Sequence, residues 1–309
     1  MPEIGHVRIT RVMKVPNVVR NKAIALGAED WLVDLPGLII ELEDRWKITV
    51  GSLIEGGTES YVAQAVDQDG SQVVLKLLIP RADDAALNEI KVLQMAKGKG
   101  CVELLKSDET MGALLLERLG PTLYDLRLPI GERHEILCAA VEQLWRPAPN
   151  SGFQTGAEKG RWLIQFIFEL WEKLNHPCSE RVVDQAVSCA ENRIANHDPE
   201  KAVLVHGDVH QWNALQSSDG FKLIDPDGLL AEAEYDLGIL MREDPVELLV
   251  GDPHERARWL ARRCNLNATS IWEWGVVERV STGLLCTQID LQPAGRDMLT
   301  TAERLAVLG

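Results

Sequence analysis

A mixed α+β chain of two lobes, strand-rich first and helix-rich afterwards, is what this sequence predicts. Three observations carry the prediction. Two strand-like runs, residues 61–66 and 72–79, are joined near the front of the chain by the turn signal Asp67-Gln68-Asp69-Gly70. Three long helical patterns, at 132–145, 160–174 and 180–196, dominate the chain after Pro121. Between the two textures the apolar run 113–116 is followed by the breaker Gly120-Pro121. The expected division is an N-lobe over residues 1–117 and a larger, helical C-lobe over 118–309.

The elements follow in order. Residues 36–46 (PGLIIELEDRW) open on a proline and place apolar residues at helical spacing, which predicts a short helix. The two strands of the hairpin come next, and then a helix over about 82–96, whose apolar stripe through Ile90 and Leu93 is interrupted by Glu89. Within the back half, two short strand-like pieces, 202–205 and 221–224, bracket a loop, and helical patterns resume from Tyr235 to the end.

Composition narrows the function classes. The net charge of −15, from 47 acidic and 32 basic residues, repels phosphate backbones and makes nucleic acid a poor partner. It favours encounter with a cationic small molecule, although the same acidity also serves plain solubility. No apolar run reaches the roughly 18–20 residues of a membrane span, and the first residues, MPEIGHVRITRVMKVP, lack the apolar core of a secretory signal. The expectation is a cytoplasmic protein with no membrane partner. Its six cysteines are dispersed with no CxxC pair, so they read as reduced thiols, mostly in the core. Most of the nine tryptophans, Trp162 and Trp171 among them, read as core residues. Lys97-Gly98-Lys99-Gly100 has no following Ser or Thr, so no nucleotide P-loop is present.

The strongest chemical signal is His206-Gly207-Asp208-Val209-His210-Gln211-Trp212-Asn213, in a loop after a strand-like piece. Twelve residues on, Ile224-Asp225-Pro226-Asp227-Gly228 again follows a strand. Two carboxylates and an amide beyond short strands form a natural magnesium site, because hard cations take oxygen ligands. Protein kinases use the same order: an Asp, an Asn five residues on, then a strand-end Asp. Lys76 lies in the apolar strand VVLKLLI, where a lysine either snorkels or meets an anion. Glu89 suits a partner for it, or a glutamate at a stripe edge. Gly56-Gly57 fits a phosphate-approaching loop or a simple hairpin turn.

With these residues in place, the chain resembles the aminoglycoside phosphotransferase family, whose catalytic loop reads HGDxHxxN. The segments PGLIIELEDRW, GGTES, LLLERLG and IDPDGLLAEAEYDLG are most similar to its streptomycin 6-phosphotransferase and hydroxyurea-resistance branch. The motifs span residues 36–240. The resemblance implies a protein-kinase-like two-lobed α+β fold and an ATP- and Mg2+-dependent transfer of a phosphoryl group to a hydroxyl of an aminoglycoside, streptomycin first, which inactivates the antibiotic. Asp208 would receive or orient the hydroxyl proton, and Asn213 and Asp225 would hold magnesium. Lys76, steered by Glu89, would grip the phosphates beneath the loop of Gly56, Gly57, Thr58 and Ser60. The hinge at 116–119, with Glu117 and Leu119, would bond the adenine. His206, His210 and Asp236 would support the catalytic loop. Asp227, Glu232 and Glu234 are candidates for binding substrate cations, and Asp227 alternatively caps its turn.

Other readings compete. Choline, fructosamine and homoserine kinases share the catalytic loop. The alternation His206-x-Asp208-x-His210, with Asp225, also suits a zinc metallohydrolase. A pseudokinase that binds nucleotide without turnover is the non-catalytic alternative.

Overall fold

The computed structural model describes residues 14–81 and 85–308. The first residues, which carry the expectation of no secretory signal, and residues 82–84, where the second predicted helix opens, lie outside the described residues. The chain divides into two compact units. One holds the residues up to Ile90 together with Leu104–Arg118, and the other holds Lys91–Glu103 together with the chain from Leu119. This division differs from a single cut at 117/118 in the place of Lys91–Glu103. That segment joins the second unit through backbone bonds: Val102 N–H donates to Leu223 O and Leu223 N–H donates to Gly100 O, each at 2.8 Å.

The first unit begins with α1 (Asn17–Ala25) and α2 (Glu29–Trp46). Helix α2 starts seven residues before the predicted helix and keeps Pro36 inside it. The missing proline N–H is outweighed by a continuous buried stripe of Trp31, Leu35, Ile39, Leu42 and Trp46. Five antiparallel strands follow: β1 (Ile48–Leu53), β2 (Ser60–Asp67), β3 (Gln72–Leu78), β4 (Leu104–Asp108) and β5 (Ala113–Glu117), with α3 (Ala85–Ala96) between β3 and β4. Their order in the sheet is β1-β2-β3-β5-β4. The β2–β3 turn forms as expected, with Asp67 Oδ1 accepting from the N–H groups of Asp69 and Ser71. Alternation along β3 sends Val73, Leu75 and Leu77 into the core shared with α1 and α2. Lys76 therefore projects from the opposite face, in the central strand between Val62 and Leu114.

The second unit contains α4 (Ile130–Leu144), β6 (Gln154–Thr155), α5 (Gly156–Lys173), α6 (Glu180–Ala195), β7 (Val203–Val205), β8 (Ala214–Ser217), β9 (Gly220–Leu223), β10 (Leu229–Ala231), α7 (Glu234–Arg242), α8 (Glu255–Cys264), α9 (Ala268–Gln288) and α10 (Ala294–Leu308). A three-stranded sheet, β6-β10-β7, and the β8–β9 hairpin are set among these helices. A capping box of Thr155 and Glu158 starts α5. Helix α9 is buried on nearly every side, which identifies it as the axis of the unit.

Helix α7 lies unusually close to α9. A methyl group on Gly238 would collide with Trp274 Cβ and stand 3.1 Å from the Gly275 nitrogen, and one on Gly275 would collide with Met241 Cβ. We expect Gly238→Ala to lower stability by about 1–3 kcal/mol through overpacking. Thermal or urea unfolding checks this, and an unchanged midpoint would refute the close-contact role.

All six cysteines are free thiols, five of them buried. Trp171 is partly buried against the core and donates to Cys178 O, whereas Trp162 is exposed, stacked on Phe166 beneath the Lys159 ammonium. The core assignment fails for Trp162 because Leu163, Ile167 and Leu170 already fill the buried face of α5. Among the described residues no helix is long and apolar enough to cross a membrane.

Candidate active site

The first unit carries a buried ion pair. Lys76 Nζ lies 2.6 and 2.8 Å from the two oxygens of Glu89, and both residues are 5% exposed. Of the two sequence readings of Glu89, its place as the partner of Lys76 is the one the fold builds. Gly56, Gly57 and Thr58 lie in the connection from β1 to β2, and Ser60 is the first residue of β2. Gly56 has φ +114, a conformation that suits glycine. Glu117 ends β5, and Leu119 opens the second unit as a buried residue.

The second unit holds the candidate catalytic loop, between β7 and β8. Asp236, fully buried on α7, binds the loop's first two amide N–H groups: Oδ2 accepts from His206 N–H at 3.0 Å and Oδ1 from Gly207 N–H at 2.9 Å. Trp145 Nε1 donates to the same carboxylate at 2.9 Å. Burial pushes the Asp236 carboxyl up to about 6, against the pull of these donors. Gly207 has φ +91, and a Cβ there would stand 2.9 Å from that of Asp227, so Asp227 packs directly beside the loop.

His206 spends both ring nitrogens on the backbone. Nδ1 accepts from Asp208 N–H at 3.2 Å, so Nε2 carries the proton and donates to Ile224 O at 3.0 Å. Burial keeps this imidazole neutral, pushing its pKa down to about 4. It has no lone pair left for a metal. Among the described residues no group of three or more His, Cys, Asp or Glu is arranged to hold a metal ion. The zinc reading loses its first ligand on this geometry.

Asp208 is the candidate reactive position. Its side chain is one-third exposed. Oδ1 accepts from Arg242 Nη2 at 2.6 Å, and Oδ2 meets His210 Nε2 at 3.1 Å and Asn213 Nδ2 at 3.2 Å. Burial alone would raise its pKa, but His210 and Arg242 outweigh it and hold the carboxyl well below the usual range. Burial opposes charge on His210 as well, and the Asp208 carboxylate reverses that and raises its pKa.

Asn213 and Asp225 are brought together by the β8–β9 hairpin. Its last register pair is Ala214 with Leu223, and Ile224 N–H donates to Asn213 O at 2.8 Å. Both residues therefore stand at one end of the ribbon. The Asn213 nitrogen faces two oxygens of Asp208, at 3.1 and 3.2 Å, which leaves its carbonyl oxygen turned away from them. Asp225 holds a left-handed backbone, φ +58, rare for a non-glycine residue. An amide oxygen and a carboxylate fit magnesium, which takes one or two protein oxygens beside phosphate oxygens.

Two expected substrate residues are already engaged. Glu232 accepts from Trp274 Nε1 at 2.7 Å and pairs with Arg193 at 3.3 Å, and Arg193 also bonds the Ser270 hydroxyl. Glu234 accepts from Asn267 N–H at 3.0 Å. Both carboxylates serve helix packing in this structure. Sequence reasoning missed three residues that hold the loop: Arg242, Trp145 and Arg133, which donates to Gln211 Oε1 at 2.7 Å. The available signal was Arg242 itself, a charge closing the apolar helix YDLGILMR. It also missed an exposed stack of Tyr124 on Trp212, with ring centroids 4.8 Å apart and Trp212 47% exposed.

Comparison with known proteins places the chain in a family. Residues 45–273 match the model of a family described as aminoglycoside/hydroxyurea antibiotic resistance kinase. The chain is 28% identical to a streptomycin 6-kinase of Streptomyces glaucescens over 237 residues, 74% of each chain. It is 27% identical over 290 residues to a hydroxyurea phosphotransferase of Kitasatospora aureofaciens, covering 86% of this chain and 82% of that one. Among solved structures, it is similar to a thermostable mutant of the aminoglycoside phosphotransferase APH(4)-Ia in ternary complex with ADP and hygromycin B. The TM-score is 0.62 at 16% identity, over 87% of this chain and 97% of that one. It is also similar to the choline kinase LicA of Streptococcus pneumoniae, with a TM-score of 0.61 at 14% identity over 91% and 99%. At these identities the likeness shows the fold, which is protein-kinase-like α+β.

Proposed function

The chain belongs to the aminoglycoside/hydroxyurea antibiotic resistance kinase family, and from that premise we propose that it transfers the γ-phosphoryl group of ATP to a hydroxyl of a cationic aminoglycoside, streptomycin first. The observation that carries the proposal is the Asp208 carboxylate: ionised, one-third exposed, and shared with the Asn213 amide at the hairpin end that also bears Asp225. Asp208 orients the acceptor hydroxyl by accepting its hydrogen bond. With its proton affinity held so low, it is suited to positioning the nucleophile and taking the proton late, as a loose phosphoryl-transfer transition state permits.

Asn213 and Asp225 would hold magnesium, which when bound neutralises charge on the transferring phosphates. Lys76, fixed by Glu89, would bind the nucleotide phosphates under the Gly56-Gly57-Thr58-Ser60 loop, and the 116–119 segment, with Glu117 and Leu119, would meet the base. Asp227, packed beside the loop, supplies a carboxylate suited to a guanidinium in bidentate geometry.

The test is ADP release with ATP and magnesium, measured with streptomycin, with hydroxyurea, with choline and with no acceptor. Streptomycin-dependent release at least about tenfold above the acceptor-free rate is expected, with mass-spectrometric phosphorylation of the drug. Release dependent on hydroxyurea or choline alone would overturn the acceptor and leave the kinase reading standing. Nucleotide binding with no acceptor-dependent release from any of them would favour a pseudokinase.

A further inference from the structure

We propose that Arg242 is the positioning residue for Asp208, fixing the carboxylate so that one lone-pair site, on Oδ1, faces the acceptor hydroxyl. The proposal rests on the reading of Asp208 as the group that meets that hydroxyl. An ionised carboxylate offers about four lone-pair sites. On Asp208 two are filled on Oδ2, by His210 and Asn213, and one on Oδ1, by Arg242. The site left over is on Oδ1, on a side chain that remains one-third exposed.

His210 and Asn213 both grip Oδ2, so they act as a pivot about which the carboxylate can still turn. Arg242 removes that freedom because it holds the other oxygen, at 2.6 Å.

Arg242 can do this because its own position is set from a different element. Nη1 donates to Glu278 Oε2 at 3.2 Å and to Thr282 Oγ1 at 3.3 Å, both on α9. The Tyr235 hydroxyl donates to the other Glu278 oxygen at 2.6 Å. Tyr235 and Arg242 stand seven residues apart on α7, two turns along one face. Helix α7 thus holds the catalytic loop twice, by its backbone through Asp236 and by its reactive side chain through Arg242. A role confined to joining α7 to α9 would require only the Glu278 and Thr282 contacts. The shorter bond runs instead to Asp208. Only a planar fork reaches both carboxylates and the hydroxyl at once, so lysine is an incomplete replacement.

The test compares the full-length wild type with Arg242→Lys and Arg242→Ala. In the streptomycin assay, kcat for Arg242→Ala should fall about a hundredfold, as expected for a misplaced reacting group, with KM for ATP within about threefold. Added guanidinium at tens of millimolar should restore at least about tenfold of the loss, and Arg242→Lys should lie between. A kcat within about threefold of wild type, or a loss that tracks falling ATP affinity and melting temperature without guanidinium rescue, would overturn the proposal. Crystal structures supply an arm independent of the acceptor. Asp208 should be rotated or disordered in Arg242→Ala, or in Arg242→Lys should the alanine variant fail to fold, and an unmoved carboxylate would overturn the proposal even where streptomycin proves not to be the substrate. Absence of streptomycin-dependent turnover in the wild type would instead count against the acceptor assignment alone.

Discussion

Asp208→Asn is expected to lower kcat by about a thousandfold or more, while nucleotide affinity stays within a few-fold. The substitution keeps size and planar shape but removes the charge and one acceptor oxygen. Asparagine has one acceptor oxygen where Asp208 has two, and three donors already converge on the carboxylate: Arg242, His210 and Asn213. One orientation of the new amide satisfies Arg242 and sets its NH2 against the Asn213 and His210 donors. The other satisfies those two and faces Arg242 with a donor. Either way a buried donor loses its partner, which costs about 1–3 kcal/mol, so a fall in melting temperature should accompany the loss of rate. The acceptor hydroxyl also loses the oxygen that oriented it. Steady-state ADP release with nucleotide titration and thermal unfolding separates the three effects. A variant retaining kcat within tenfold of wild type would remove Asp208 from the centre of the reaction.

How much of this was legible in the sequence depends on the range of each interaction. The octet from His206 to Asn213 could be read directly, because the chemistry of a catalytic loop is contiguous: Asn213 meets Asp208 across five residues and His206 meets the Asp208 amide across two. The Lys76–Glu89 pair, thirteen residues apart, was legible through its anomaly, since each charge interrupts an apolar pattern. Arg242 and Trp145 were not, because their partners are chosen by tertiary packing at separations of 34 and 91 residues. Two of the strands that sequence patterning did not mark have a related cause. β1 and β4 are the two edges of the five-stranded sheet, and an edge strand carries fewer buried side chains with which to announce itself. Glu232 and Glu234 read in the sequence only as an acidic run, and their contacts with Arg193, Trp274 and the α9 N-terminus come from the fold. Local spacing assigns a residue type to a chemistry, but the fold decides which partner reaches it first.

Lys76→Met is the second change with a large expected effect, and its interpretation requires a companion. The Lys76 ammonium and the Glu89 carboxylate are both buried and meet at 2.6 Å. Removing the ammonium leaves a carboxylate in a poorly solvated site without that charge, which should destabilise the fold by about 3–5 kcal/mol. Loss of activity in this single variant would then report unfolding as readily as a lost phosphate contact. The double variant Lys76→Met with Glu89→Leu separates the two. Replacing both members of a buried pair by apolar residues is often neutral or stabilising, so the double variant should recover most of the lost stability. Activity should not return with it, because the cation proposed to hold the nucleotide phosphates is still absent. Urea unfolding and ATP titration on the wild type, both single variants and the double give a complete cycle. Recovered stability without recovered ATP affinity assigns Lys76 to the nucleotide. Recovery of both would mean the pair is a packing device whose charges the reaction does not use.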